Sequence, residues 1–88
     1  MTCKIDRHAT GEDPVVLRIS GWITGESVNT LRALLEQENG AVTIDLKDVR
    51  LVDDEGIKLL AIRESNGAKI NNCPLYIREW ITRERERK

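Results

Sequence analysis

Phenylalanine is absent from this chain, and Trp22, Tyr76 and Trp80 are its only aromatic residues. The core must therefore be aliphatic, built from Val, Ile, Leu and Ala. Cysteine is scarce as well: Cys3 and Cys73 are widely separated and lack metal-ligand spacing, so free thiols in a reducing compartment are expected. No apolar run reaches membrane-spanning length, and the first residues are too polar for a secretion signal. This points to a cytoplasmic protein without direct membrane insertion. Neither sign of charge dominates, because 14 basic residues face 15 acidic ones for a formal net charge of -1. No global field then draws the chain to nucleic acid or anionic lipid. The lone His8 lies far in sequence from the acidic residues gathered between Asp45 and Glu55, and no Ser/His/Asp, Cys/His or glycine-rich phosphate-loop arrangement accompanies them. An enzyme is not expected, and no cofactor is implied.

What the chain does have is aliphatic periodicity. With 88 residues, 40% of them hydrophobic, it reads as one globular domain over 1–88, with a short tail from Arg83 to Lys88. The rest is organised around Ala41 to Leu60. Val42, Ile44 and Leu46 alternate with Thr43 and Asp45, as in an interior strand, and Val49, Leu51 and Val52 carry apolar weight through a loop that holds Asp48. At Asp53-Asp54-Glu55-Gly56 the period changes. Ile57, Leu60 and Ala61 then fall at i, i+3 and i+4, with Leu59 and Ile62 beside them, which predicts a helix with a broad buried stripe. Asp53 or Asp54 can cap it, and the acids sit where a helix N-terminus favours negative charge.

In chain order, Thr2 to Arg7 is a candidate edge strand, and Thr10 to Pro14 is a turn. The second strand covers Pro14 to Ser20, with Val15, Leu17 and Ile19 on one face; Ser20 to Gly25 then reads as a loop. A first helix begins near Thr24 to Ser27 and runs to Glu38, with Val28, Leu31, Leu34 and Leu35 inward and Asn39-Gly40 as its stop. Asn66-Gly67 ends the second helix, and Lys69 to Asn71 suffices for a brief strand. Pro74 suits position N1 of a third helix carrying Leu75, Ile77, Trp80 and Ile81. The order is that of an α/β protein, a mixed β-sheet with helices packed on it.

The acidic corner resembles the signature of the STAS family, the domain of anti-sigma factor antagonists. The matching residues are Ile44-Asp45-Leu46, Val49, Val52, Asp53, Gly56 and Ile57, and the similarity continues through Leu17 to Leu34, covering about residues 14 to 72. The family reads Asp-Ser-Ser-Gly-Leu at this corner. Its first serine, which a partner kinase phosphorylates, aligns with Asp54, and its second aligns with Glu55. The resemblance implies a small STAS-like sandwich, shortened at its C-terminal end by an edge strand. It also implies a protein partner, an anti-sigma factor or kinase-type ATPase, docking at Asp53, Asp54, Glu55, Gly56 and Lys58.

Two other readings follow from the same residues. STAS domains also serve as separate subunits that regulate membrane-transporter ATPases. Alternatively, Asp45, Asp48, Asp53, Asp54 and Glu55, gathered within one short stretch, could form a carboxylate metal site, although no calcium-loop spacing is present. An uncovered sheet edge and a helix bearing Tyr76 and Trp80 would suit a homodimer. The arginines from Arg78 to the C-terminus are interleaved with Glu79, Glu84 and Glu86, so nucleic acid is not an expected partner. Trp22 either packs over the end of the sheet or belongs to a docking surface.

Overall fold

The structure is a computed structural model that describes residues 3–9, 11, 14–38 and 41–87. Its elements are β1 (Cys3–His8), β2 (Val15–Ile23), α1 (Glu26–Gln37), β3 (Val42–Val52), α2 (Asp54–Ser65), β4 (Lys69–Asn71) and α3 (Leu75–Glu86). The four strands lie in the order β1-β2-β3-β4. The β1–β2 pair is antiparallel, whereas β2–β3 and β3–β4 are parallel, so α1 and α2 are the crossovers of two βαβ units. This is the mixed α/β sheet expected from the residue pattern.

Burial is deepest on one face of the sheet, and the other face is more open, although Thr43 on it is also buried. Leu17, Ile19, Ile44 and Leu46 are fully or nearly fully buried, and they form one cluster with Val28, Leu31 and Leu35 of α1, Ile57, Leu60 and Ala61 of α2, and Ile77 and Ile81 of α3. Each large aliphatic side chain taken wholly from water adds roughly 1.5 to 3 kcal/mol before entropy is counted. On the other face Arg18 is exposed, and Ser20, Trp22 and Asp45 are half-buried.

The sheet departs from the expected element bounds in a way that has one cause. Rather than stopping at Ser20 and Leu46, β2 and β3 continue in register to Ile23 and Val52. Between Arg18/Asp45 and Ser20/Asp48, and again between Gly21/Val49 and Trp22/Leu51, β3 advances one residue more than β2. Each extra residue is a bulge that turns the following side chains to the opposite face. The inward residues of β3 are therefore Val42, Ile44 and Leu46, then Val49 after the first bulge. A strict alternation ends at Leu46, which is why this segment reads as a loop. Asp48 thus lies within a strand, and Trp22 lies on β2 opposite Leu51.

The helices follow expectation with local corrections. In α1, Val28, Leu31 and Leu35 are buried and Leu34 is half-buried. In α2, Leu59 joins the buried stripe, while Ile62 is exposed. Its end is a Schellman arrangement: the Ala68 N–H donates to the Arg63 carbonyl, the Gly67 N–H donates to the Glu64 carbonyl, and Gly67 has φ 108°. Pro74 is the N-cap of α3 rather than N1, with ψ 143°. Of the four apolar residues that α3 carries, Ile77 and Ile81 face the core, and Leu75 and Trp80 are exposed. The segment from Arg83 is helical as far as Glu86. The stop at Asn39-Gly40 and most of the Thr10 to Pro14 turn lie outside the described residues.

Candidate functional site

The corner between β3 and α2 is held by Asp53. Its backbone is extended (φ -82°, ψ 178°), and its side chain caps α2: Oδ1 accepts from the Gly56 N–H at 2.9 Å. The second carboxylate oxygen, Oδ2, accepts from the Gly25 N–H at 3.0 Å. Its own N–H donates to the Ile23 carbonyl at 3.1 Å. One residue thus joins the end of β2, the entry to α1 and the first turn of α2. Gly25 has φ 53° and ψ -122°, a backbone state that side chains disfavour, so glycine suits this junction.

Gly56 is required for a different reason. A Cβ there would sit 2.5 Å from Val52 Cγ1 and 3.2 Å from the Ile23 carbonyl oxygen. The absence of a side chain lets α2 start directly against the strand ends. Two of the five expected site residues are therefore committed to building the corner. The other three, Asp54, Glu55 and Lys58, are exposed on the first turns of α2. Lys58 Nζ lies 3.9 Å from Glu55 Oε1, with both side chains about half exposed or more, so this pair leaves both groups available.

A shallow groove borders the corner on each side. One, of about 380 Å³, is lined by Gly25, Glu26, Asn29, Arg32, Asp53 and Glu55 between the starts of α1 and α2. The other, of about 510 Å³, runs between α2 and α3 past Asp54, Ile57, Lys58, Trp80, Arg83 and Arg87. The corner is an exposed edge with mixed charge, bordered by these two grooves.

The five carboxylates do not converge. Asp45 Oδ1 accepts from the Lys47 N–H at 2.9 Å and from Asn72 Nδ2 at 3.3 Å on the open sheet face, with Asp48 nearby and Arg18 in register. Asp53, Asp54 and Glu55 belong to the helix start. Among the described residues, no three His, Cys, Asp or Glu side chains are placed to hold a metal ion.

Sequence reasoning missed the lock between α2 and α3. Both Glu64 oxygens accept from Arg78, Nη1 and Nη2 each at 2.9 Å, and Oε1 also accepts from Arg85 Nη1 at 3.0 Å. Hydrogen bonds from Arg78 hold the Glu64 carboxyl below the ordinary glutamate range, against the opposing effect of burial. Arg78 and Arg85 stand two turns apart on one helix face, a spacing that could have signalled a shared acidic partner. The Tyr76 hydroxyl donates to the Arg50 carbonyl, tying the start of α3 to β3. Cys3 and Cys73 are unpaired and half-buried, and burial pushes both thiols up.

No protein-family model matches the chain, and no curated protein matches it in sequence. Solved structures do match it in three dimensions. The anti-sigma factor antagonist SpoIIAA in its unphosphorylated form superposes with a TM-score of 0.70 at 16% identity, over 90% of this chain and 78% of that one. The chain has a SpoIIAA-like fold. An uncharacterised protein from Shewanella loihica, itself described as having a SpoIIAA-like fold, matches with a TM-score of 0.50 at 14% identity, covering 90% of this chain and 93% of that one. A protein named Mglu matches with a TM-score of 0.57 at 22% identity, over 76% of this chain and 18% of its own. The likeness to SpoIIAA agrees with the small STAS-like fold that the resemblance implies. Among the described residues, no helix is long and apolar enough to cross a membrane.

Proposed function

We propose that this chain is a non-enzymatic protein-interaction module of the anti-sigma factor antagonist kind, acting in the cytoplasm through the corner of Asp53 to Gly56 with α2 alongside. The observation that carries the reading is the division of labour at that corner. Asp53 and Gly56 are used up in building it, while Asp54, Glu55 and Lys58 are held out to solvent at the first turns of α2. Rigid backbone with free charged groups is what a specific protein contact needs.

In this reading Asp54 stands where antagonists of this kind carry a phosphorylated serine. A phosphate there would bring a charge of about -1.5 to -2, whereas Asp54 brings one fixed negative charge. The corner is then not switched by phosphorylation at position 54, and the partner meets a permanently acidic helix start. The partner is an anti-sigma factor or a related kinase-type ATPase.

Affinity capture from the native lysate, with wild-type protein and Asp54→Ser as baits, tests this. Recovery of a kinase-type ATPase, in amounts that differ between the two baits, is the expected result. Recovery of a transporter ATPase would replace the signalling reading with that of a transporter subunit, and equal recovery by both baits would remove Asp54 from the contact.

A further inference from the structure

The exposed face of α3 carries a pattern that the corner does not use. Tyr76, Trp80, Arg83 and Arg87 follow one another at steps of four, three and four residues, the spacing of a single stripe on a helix that packs against another helix. The stripe is not turned to the core: Tyr76 is 45% and Trp80 53% exposed, and both arginines are exposed. Its first half is aromatic and its second half is cationic. Arg83 already lies over the Trp80 ring, 5.7 Å from its centroid. Neither Trp80 nor Arg83 is held in any ion pair or hydrogen bond to a neighbouring element among the described residues.

We infer that this stripe is a self-complementary contact for a second copy of the chain, with two α3 helices packed antiparallel about a twofold axis. An aromatic-then-cationic order matches itself only when one copy is reversed. Trp80 then meets the partner's Arg83, and Tyr76 meets the partner's Arg87, each pair repeated by the symmetry. Both are cation–π contacts, and Trp, Tyr and Arg are the residue types that concentrate binding energy at interfaces. The groove beside Trp80 carries mixed charge, Asp54 and Glu84 together with Lys58, Arg83 and Arg87, so the partner's Arg83 would find carboxylates as well as cations there. A parallel pairing would instead oppose Arg83 to the partner's Arg83. A stripe of one short helix is a small interface, so the dimer is reversible and its population rises with concentration.

Sedimentation velocity across a concentration series tests the inference with the full chain, using wild type, Trp80→Ala, Arg83→Glu and, as a control on the exposed side of α1, Glu36→Ala. The stripe residues replaced are exposed, and far-UV circular dichroism confirms that each variant keeps its fold. The wild type should move from the mass of one 10.0 kDa chain toward that of two. Trp80→Ala and Arg83→Glu should each raise the dissociation constant by about tenfold or more, with Glu36→Ala unchanged. A wild type that stays monomeric throughout the series overturns the inference, and so does a dimer that Trp80→Ala leaves intact. This test reads self-association alone and is independent of the corner's partner.

Discussion

Asp53 binds Gly25 across the top of the fold: one carboxylate oxygen caps α2 through Gly56, and the other accepts the N–H of a residue 28 positions earlier that opens α1. The cap is thus also a tertiary clasp, joining two helix starts that each follow a parallel strand. Its position explains why this corner, the candidate docking edge, keeps its shape while its neighbours stay exposed.

Replacing the clasp should cost more than an ordinary cap. Asp53→Ala removes both acceptors and should destabilise the fold by about 2 to 3 kcal/mol, combining a lost cap with a second hydrogen bond to a charged acceptor. Asp53→Asn keeps one acceptor and should cost about half as much. Urea unfolding followed by circular dichroism measures both.

Gly56→Ala sets helix propensity against space. In an exposed helix the change would gain up to about 1 kcal/mol. Here the new Cβ would lie 2.5 Å from Val52 Cγ1, on a β-branched side chain with few alternative rotamers, and 3.2 Å from a backbone oxygen. We expect a net loss of about 1 to 3 kcal/mol. In the double variant with Val52→Ala, part of that loss should be recovered, giving a favourable coupling in a double-mutant cycle.

The α2–α3 lock makes a pH prediction. Glu64 has its pKa lowered in the folded state, chiefly by hydrogen bonds from Arg78. Its contribution to stability is therefore complete above the unfolded glutamate pKa and is lost as pH falls through the lower folded value. Glu64→Gln should cost about 1 kcal/mol at neutral pH, since both arginines are partly exposed, and the penalty should vanish in acid. Unfolding curves of wild type and variant, compared from neutral pH down to acid, provide the check.

Asp54 should behave in the opposite way. It is exposed and forms no hydrogen bond or ion pair to a neighbouring residue among the described ones, so Asp54→Ser should change stability by no more than about 0.5 kcal/mol. Thermal unfolding measures it, and a large loss would show that Asp54 supports the fold instead of facing a partner.

Local signals carried much of this architecture into the sequence. The Val42-Ile44-Leu46 alternation, the change of period at Asp53 and the Asn66-Gly67 stop each act over a few residues, and each placed its element near its true position. The corner was legible because a cap and a glycine must both be where the chain turns from strand to helix. Beyond Leu46 the reading ended the strand too soon, since two bulges shift which side chains face inward while leaving no mark in composition. The bonds from Glu64 to Arg78 and Arg85, from Asp53 to Gly25 and from Tyr76 to Arg50 join separate elements. They depend on how helices pack, and sequence spacing alone does not fix that. On α3, Ile77 and Ile81 fill the inward line, which leaves Trp80 exposed.

The central claim is that a protein partner docks at the corner. The most direct measurement is an NMR titration of isotope-labelled chain with the ATPase recovered by affinity capture, following every backbone amide. The account predicts that shifts and broadening centre on Asp53 to Lys58, and that Asp54→Lys weakens the complex by about tenfold or more without unfolding the chain. Perturbations confined to the open sheet face around Arg18 and Asp45, with the amides of Asp53 to Lys58 unmoved, would contradict it.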